Sequence, residues 1–377
     1  MNSIRVVLSV VLALEYVTER LDADTAFLNS EFKDRVCMEV PYGIPNDKNM
    51  MYKLDKAIYG LKQAASAWHK TIHRVFLMIG GADECVYVKV KEGRHVYICL
   101  YVDDMIIAAK TSEEIQEVKA ALKSAFKMKE LGEANFILGM EIDHDHSAKA
   151  LMIKQARYMD DVVTRSNQQD AKMVVNPCEA GMKLTQSPKT DTEISLMQAK
   201  SYRALIGCLL YITTCTRPDV AYIVTQLSRF LENPPTAWKA AIRVLRYLKG
   251  TRDLGIVYNG NKGKVELTAY TDADWGSNLD DRRSVSGTMM MISGAPVVFK
   301  SKYQRTVALS SAEAEYMALS QCTQEVLWTR AMLKDLGHEQ VGATQVLEDN
   351  QGAIALASNA GYNARTKHVD IKHHFIR

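Results

Sequence analysis

The stretch HVYICLYVDDMIIAAK, His95 to Lys110, is apolar except for two adjacent aspartates near its middle, Asp103 and Asp104. Burying one ionised carboxylate without a partner is costly, and burying two neighbours is worse. Neighbouring residues on a strand point to opposite faces, so a strand running straight through YVDDM would bury one aspartate on the wrong side. A tight hairpin turn at Val102–Asp104, joining strands HVYICLYV and MIIAA, lifts both acids to a shared edge. They then need a counter-charge, and Mg²⁺ is the natural one, held by one or two carboxylates together with substrate phosphates. A third acid should come from another strand, and ERLDADTAFLNSEF offers Asp22. Taken alone, an Asp-Asp pair reads equally as a solvated turn, so its context decides.

With 377 residues the chain has room for two or three domains at about 100–200 residues each. Apolar residues are 47% of it, enough for a substantial core, while a net charge of +3 announces no nucleic-acid binder by itself. The seven cysteines are scattered without a C-x-x-C pair and read as reduced thiols of an intracellular protein. The opening apolar run is followed closely by Glu15 and lacks an A-x-A-like cleavage site, so a buried helix is expected there rather than a signal peptide. It is also too short to span a bilayer, and no membrane partner is expected.

Three textures follow one another. Residues 1–145 mix strands with helices, including a helix over SEEIQEVKAALKSAFKMKEL. Residues 146–260 open with a strand, ALMIKQ, pass through a polar linker, NPCEAGMKLTQSPKTDTEIS, and continue as helices SYRALIGCLLYITTCT, PDVAYIVTQLSRFLENPP and AWKAAIRVLRYLKG. Pro218 suits a helix N-terminus and Gly250 a helix C-terminus. Residues 261–377 restart with strands VELTAYTDADW, VSGTMMMISGAPVVFKSK and TVAL, then a long helix, a strand and a helix. The alternation predicts a multidomain α+β or α/β architecture.

Several long motifs carry a resemblance, in order along the chain. LYVDDM resembles the catalytic signature of reverse transcriptases. DADTAFLNSEF is similar to the first-aspartate motif of copia-type retrotransposon polymerases, and YKLDKAIYGLKQAASAWHK to their template and nucleotide-binding motif. KMKELGEANFILGMEI resembles the approach to their primer grip, YRALIGCLLYITTCTRPDVAYIVTQLSRF and WKAAIRVLRYLKGT the region that follows. SSAEAEYMAL and ARTKHVDIKHHFIR resemble their RNase H region. The resemblance implies a polymerase palm over 1–145, a helical thumb or connection region over 146–260, and an RNase H-like domain over 261–377. It further implies fingers largely missing ahead of the palm and an RNase H-like domain lacking its C-terminal end, as in a fragment of a Pol polyprotein.

Residue by residue, the resemblance places Asp22, Asp103 and Asp104 in the polymerase metal site, with Asp104 supporting the other two. It places Phe27 as an aromatic gate against a ribose 2′-hydroxyl, and Tyr59, Gly60, Lys62, Gln63 and Tyr101 against nucleotide and template. Leu138, Gly139 and Glu141 fall in the primer-grip hairpin. Asp272, Glu315 and Asp349 fall in the RNase H metal site; Glu313 and Asp274 are weaker candidates there. Asp370 offers a substitute for a fourth acid that the family carries later, but it lies too early in the family pattern, and Arg365, Lys367, His368, Lys372, His373 and His374 form a basic cluster suited to hybrid phosphates. The implied cofactor is Mg²⁺, with Mn²⁺ as an alternative. The implied partners are an RNA template, a DNA primer, an RNA–DNA hybrid and deoxynucleoside triphosphates, in a cytoplasmic particle or the nucleus. Asp24 departs from the family's usual basic residue, and on a regular strand it would share a face with Asp22. Ala65 replaces a usual proline and Ser30 a usual glycine. The alternative reading is a catalytically dead relic that at most binds nucleic acid.

Overall fold

The computed structural model describes residues 1–45, 50–77, 85–179, 181–182, 184, 201–232, 235–260 and 264–358. The chain divides into two compact units. One comprises Leu14–Ile137 with Asp335–Gly337. The other comprises Met1–Ala13, Leu138–Lys334 and the chain from His338 onward. The polar linker lies largely outside the described residues, as do Asp370 and the basic cluster.

The opening apolar run forms helix α1 (Asn2–Ala13), and it is buried as expected. It groups with the Leu138–Lys334 unit rather than with the strands that follow it in sequence. Apolar residues occur on nearly every side of it, which suits a helix enclosed by protein. Its one cation, Arg5, is fully buried and has been given carbonyl partners. Nε donates to the Val297 carbonyl (2.8 Å), Nη1 to those of Cys215 (2.9 Å) and Thr214, and Nη2 to Asn2 Oδ1 (2.6 Å). The guanidinium lies 4.3 Å from the ring centre of Phe299.

In the Leu14–Ile137 unit, β1 (Val17–Ala23) is followed by a two-stranded arm, β2 (Glu31–Glu39) and β3 (Met51–Lys56), and helix α2 (Ala64–Leu77). Then come β4 (Val86–Lys91), β5 (Arg94–Tyr101), β6 (Asp104–Ala109), α3 (Ser112–Ala125), β7 (Met128–Glu133) and the short β8 (Phe136–Ile137). Strands β4-β5-β6-β1-β7 make an antiparallel sheet. Leu21, Ile98, Leu100, Met105 and Ile107 from this sheet pack on Trp68, Ile72 and Phe76 of α2 and Ile115, Val118 and Leu122 of α3. A capping box between Thr111 and Glu114 starts α3. The helix expected to run on through KMKEL instead ends at Ala125. Phe126 turns extended, and residues from Met128 pair with β1. Pairing with an otherwise open strand edge outweighed helical spacing there.

The second unit continues with β9 (Met140–Asp145), β10 (Ala150–Lys154), α4 (Ala156–Arg165), α5 (Tyr202–Cys215), α6 (Ala221–Leu227), α7 (Pro235–Gly250) and β11 (Ile256–Asn259). The helix expected to start at Pro218 begins as a 3₁₀ turn, becomes α6 and closes as another 3₁₀ turn over Ser228–Phe230. Met159, Val163, Leu209, Val224 and Leu245 share the core of these helices. Beyond them come β12 (Leu267–Ala273), β13 (Val285–Ile292), β14 (Ala295–Tyr303), α8 (Ser311–Asp335), β15 (Gln345–Leu347) and α9 (Gln351–Ser358). Their sheet runs β14-β13-β12-β15, with β15 parallel to β12. Among the described residues no helix is long and apolar enough to cross a membrane.

Arg5→Met should destabilise this unit by about 3 kcal/mol, because the buried carbonyls of Val297, Thr214 and Cys215 lose a donor. Urea unfolding checks this; a midpoint unchanged from the parent chain would remove the anchoring role.

Candidate functional site

Register brings the first set of acids together. Strand β1 pairs with β6 so that Asp22 lies opposite Asp104, and β5 pairs with β6 so that Tyr101 lies opposite Asp104. The β5–β6 connection is therefore a two-residue turn, Val102-Asp103, within the Val102–Asp104 turn that the sequence predicts; Asp104 already opens β6. Val102 adopts φ 55°, an unusual angle for a β-branched residue. Trp68, buried on α2, donates its indole N–H to the Val102 carbonyl at 2.6 Å. The Ala23 amide at the end of β1 donates to the Asp103 carbonyl at 2.9 Å. The strained turn is thus held from a helix and from a neighbouring strand.

Like charge marks the result. Burial pushes the Asp22 carboxyl up from its ordinary value, and the Asp103 and Asp104 carboxylates add to this against Lys129 and Arg20. Arg20, two residues before Asp22, places Nε 3.0 Å and Nη2 2.7 Å from Asp104 Oδ1. Asp24 does not compound the negative charge as its spacing suggested. Strand β1 ends at Ala23, and Lys127 (2.8 Å) and Lys129 (3.4 Å) take the Asp24 carboxylate, holding it below its usual range.

Phe27 and Tyr59 meet with ring centres 4.4 Å apart, and the Tyr59 hydroxyl donates to Asp103 Oδ2 at 3.3 Å. Burial, then Asp103, raises the Tyr59 hydroxyl above its ordinary value. Gly60 has φ 92°, and a Cβ there would meet nothing within 4 Å, so the backbone angle rather than a close approach within the protein asks for glycine. Lys62 and Gln63 are exposed just before α2, and Tyr101 is 50% exposed. Leu138 and Gly139 form a turn with φ 49° and 67°, and Tyr211 donates to the Leu138 carbonyl. Glu141 Oε1 accepts the Arg157 amide (2.8 Å), capping the start of α4. These three residues belong to the second unit, apart from the aspartates of the first.

The second set lies wholly within the second unit. Carboxylate oxygens of Asp272 on β12, Glu315 on α8 and Asp349 just after β15 all lie within 4.8 Å of one another. The parallel β12–β15 pairing aligns the ends of these strands, and α8 supplies the third acid from its first turns. Glu315 is 6% exposed, and its Oε2 is buried without a hydrogen-bond partner. Burial, with Glu348, Asp272 and Asp349 adding repulsion, pushes the Glu315 carboxyl up to about 8. An orphaned, buried carboxylate oxygen facing two further carboxylates is the donor set a divalent cation satisfies. Asp274 is occupied otherwise, its Oδ1 accepting the Val285 amide at 2.6 Å. Glu313 accepts the Leu309 amide (2.8 Å) and caps α8.

Sequence reasoning missed Glu348. Its Oε2 is likewise buried and unpartnered, and burial raises its carboxyl above the ordinary value. The signal was present: LEDN places two adjacent acids at the end of an apolar run, as LYVDD does.

The described residues thus bring carboxylates together at two places, one of them beside a strained hairpin turn. A family model for reverse transcriptase (RNA-dependent DNA polymerase) matches residues 1–180. The chain is 38% identical over 387 residues to the retrovirus-related Pol polyprotein from transposon TNT 1-94 of Nicotiana tabacum, covering 100% of the chain and 29% of that polyprotein. It is 35% identical over 384 residues to the corresponding polyprotein from transposon RE1 of Arabidopsis thaliana, covering 100% and 26%. A transposon Ty5-1 protein of Saccharomyces cerevisiae is 32% identical over 314 residues, 81% of the chain and 100% of that protein. The chain belongs to the reverse transcriptase family, and within it to the Pol proteins of copia-type retrotransposons. It spans less than a third of the Pol polyproteins it matches.

Glu315 sets a pH dependence. Between its ordinary value of 4.5 and about 8 the folded chain holds a proton that the unfolded chain lacks. Stability of metal-free protein should therefore fall as pH rises through this window and level off above it. Glu315→Gln should flatten the profile. Thermal unfolding in EDTA from pH 5.5 to 8.5 reads it, and parallel profiles for parent and variant would sink the assignment.

Proposed function

We propose that the chain carries an RNA-directed DNA polymerase site at Asp22, Asp103 and Asp104 and a ribonuclease H site at Asp272, Glu315 and Asp349. Residues 1–145 then supply the palm, 146–260 a thumb or connection region, and 261–377 an RNase H-like domain. The observation that carries the first assignment is the β1–β6 register that sets Asp22 opposite Asp104 beside the Val102-Asp103 turn. The second rests on three carboxylates from two strand ends and a helix converging within 4.8 Å.

Divalent cations, Mg²⁺ or Mn²⁺, would supply charge neutralisation and orientation of the attacking and leaving oxygens when bound. At the first site Asp22 and Asp103 would hold them. Phe27, packed on Tyr59, would face the sugar of an incoming deoxynucleoside triphosphate and crowd a 2′-hydroxyl. Lys62 and Gln63, exposed just before α2, would meet phosphate or template. At the second site Glu315 would give up its proton on metal binding, since a ligating carboxylate is ionised. The substrates would be an RNA template with a DNA primer at the first site and an RNA–DNA hybrid at the second.

Primer extension on an RNA template with residues 1–377 tests the first site. Extension should vanish in Asp103→Asn, while cleavage of a labelled hybrid should survive there and vanish in Asp349→Asn. Folded protein active in neither assay would turn the reading to a relic that binds nucleic acid without turnover.

A further inference from the structure

Of the three acids at the polymerase site, Asp104 alone carries a cation. Arg20 stands two residues before Asp22 and so on the same face of β1. It lies opposite Ile106, which makes Asp104 its diagonal neighbour across β6, within reach of a long side chain. Nε (3.0 Å) and Nη2 (2.7 Å) both donate to the same oxygen, Asp104 Oδ1, in charge-assisted bonds. The side chains of Arg20 and Asp104 are 17% and 21% exposed, unlike a solvated surface pair. The Phe136 ring, 5.5 Å from the guanidinium carbon, flanks it.

The other cations near the site are committed elsewhere. Lys127 and Lys129 close on Asp24. Among the described residues no ion pair reaches Asp22 or Asp103, and Asp103 faces only the neutral Tyr59 hydroxyl. Among the described residues the site therefore holds two carboxylates without an ion pair, Lys129 and Arg20 acting on Asp22 only from further off, and one matched at hydrogen-bond distance.

We propose that Arg20 is a positioning residue that keeps Asp104 out of the metal shell, so that Asp22 and Asp103 alone are the metal-ligand pair. This rests on the polymerase reading of the site. Arg20 holds the carboxylate that follows the Val102-Asp103 turn, fixes the start of β6, and lowers the negative charge a cation meets.

Mn²⁺ binding, measured by calorimetry and electron paramagnetic resonance on the full chain, tests this directly. All proteins carry Asp272→Asn to silence the second cluster, and thermal unfolding verifies that each is folded. Asp103→Asn should weaken Mn²⁺ at least ~10-fold and Asp104→Asn less than ~3-fold while Arg20 is present. Arg20→Gln should free Asp104 and tighten Mn²⁺ by ~10-fold, and in that background Asp104→Asn should then cost the gain, a non-additive cycle. Arg20→Lys should behave like the parent. Equal losses from Asp103→Asn and Asp104→Asn with Arg20 intact would overturn the proposal, and this comparison needs no Arg20 variant to fold. An additive cycle would overturn it too. Folded protein showing no Asp103-dependent Mn²⁺ binding would instead overturn the polymerase-site reading, and this inference with it.

Discussion

The antiparallel register between β1 and β6 sets two aspartates, Asp22 and Asp104, face to face. Like charges directly opposite each other destabilise a sheet, so something else must hold this pairing. Beneath it, Leu21, Met105 and Ile107 are fully buried against α2 and α3. A slip of one residue would turn that apolar set to the opposite face of the sheet, away from α2 and α3. The core therefore dictates the register, and the register dictates the charge cluster. The strained Val102 turn follows from the same constraint. It must reverse the chain in two residues, and Trp68 and Ala23 hold the geometry that results.

The cations around this site are arranged with some economy. Arg20 matches Asp104, while Lys127 and Lys129 match Asp24. Among the described residues Asp22 and Asp103 are left without an ion pair. The second unit reaches a comparable end differently. There burial first, and repulsion from Glu348, Asp272 and Asp349 after it, favour a proton on Glu315, whose carboxyl is pushed up to about 8. Around the first cluster arginine and lysine thus meet carboxylate charge, while the second relieves its charge by protonation.

Arg5 shows the same accounting for a cation. It sits fully buried on α1 without a carboxylate partner and is satisfied by three carbonyls and an asparagine oxygen. Those carbonyls come from α5 and β14, distant in sequence. This is how a helix at the beginning of the chain becomes part of a core built mostly from residues beyond Leu138.

Much of this was legible in the residues themselves. Continuous apolar runs located β5 and β6, the costly burial of Asp103 and Asp104 required a turn between them, and helical spacing located α5 and α7. The six carboxylates proposed for the two sites were named from motifs; register sets Asp22 opposite Asp104, and Asp272, Glu315 and Asp349 lie within 4.8 Å of one another. What the sequence could not settle were choices of partner across space. Met128–Glu133 has helical spacing yet became a strand because β1 had an edge to fill. Asp24 looked like a competitor of Asp22 until lysines from the other side of that edge closed on it. Glu348 was passed over beside Asp349, and nothing along the chain marked Arg20 as the partner of Asp104. Periodicity and local steric limits act over a few residues and can be read along the chain. Which cation meets which carboxylate depends on register and burial, and only the folded sheet decides those.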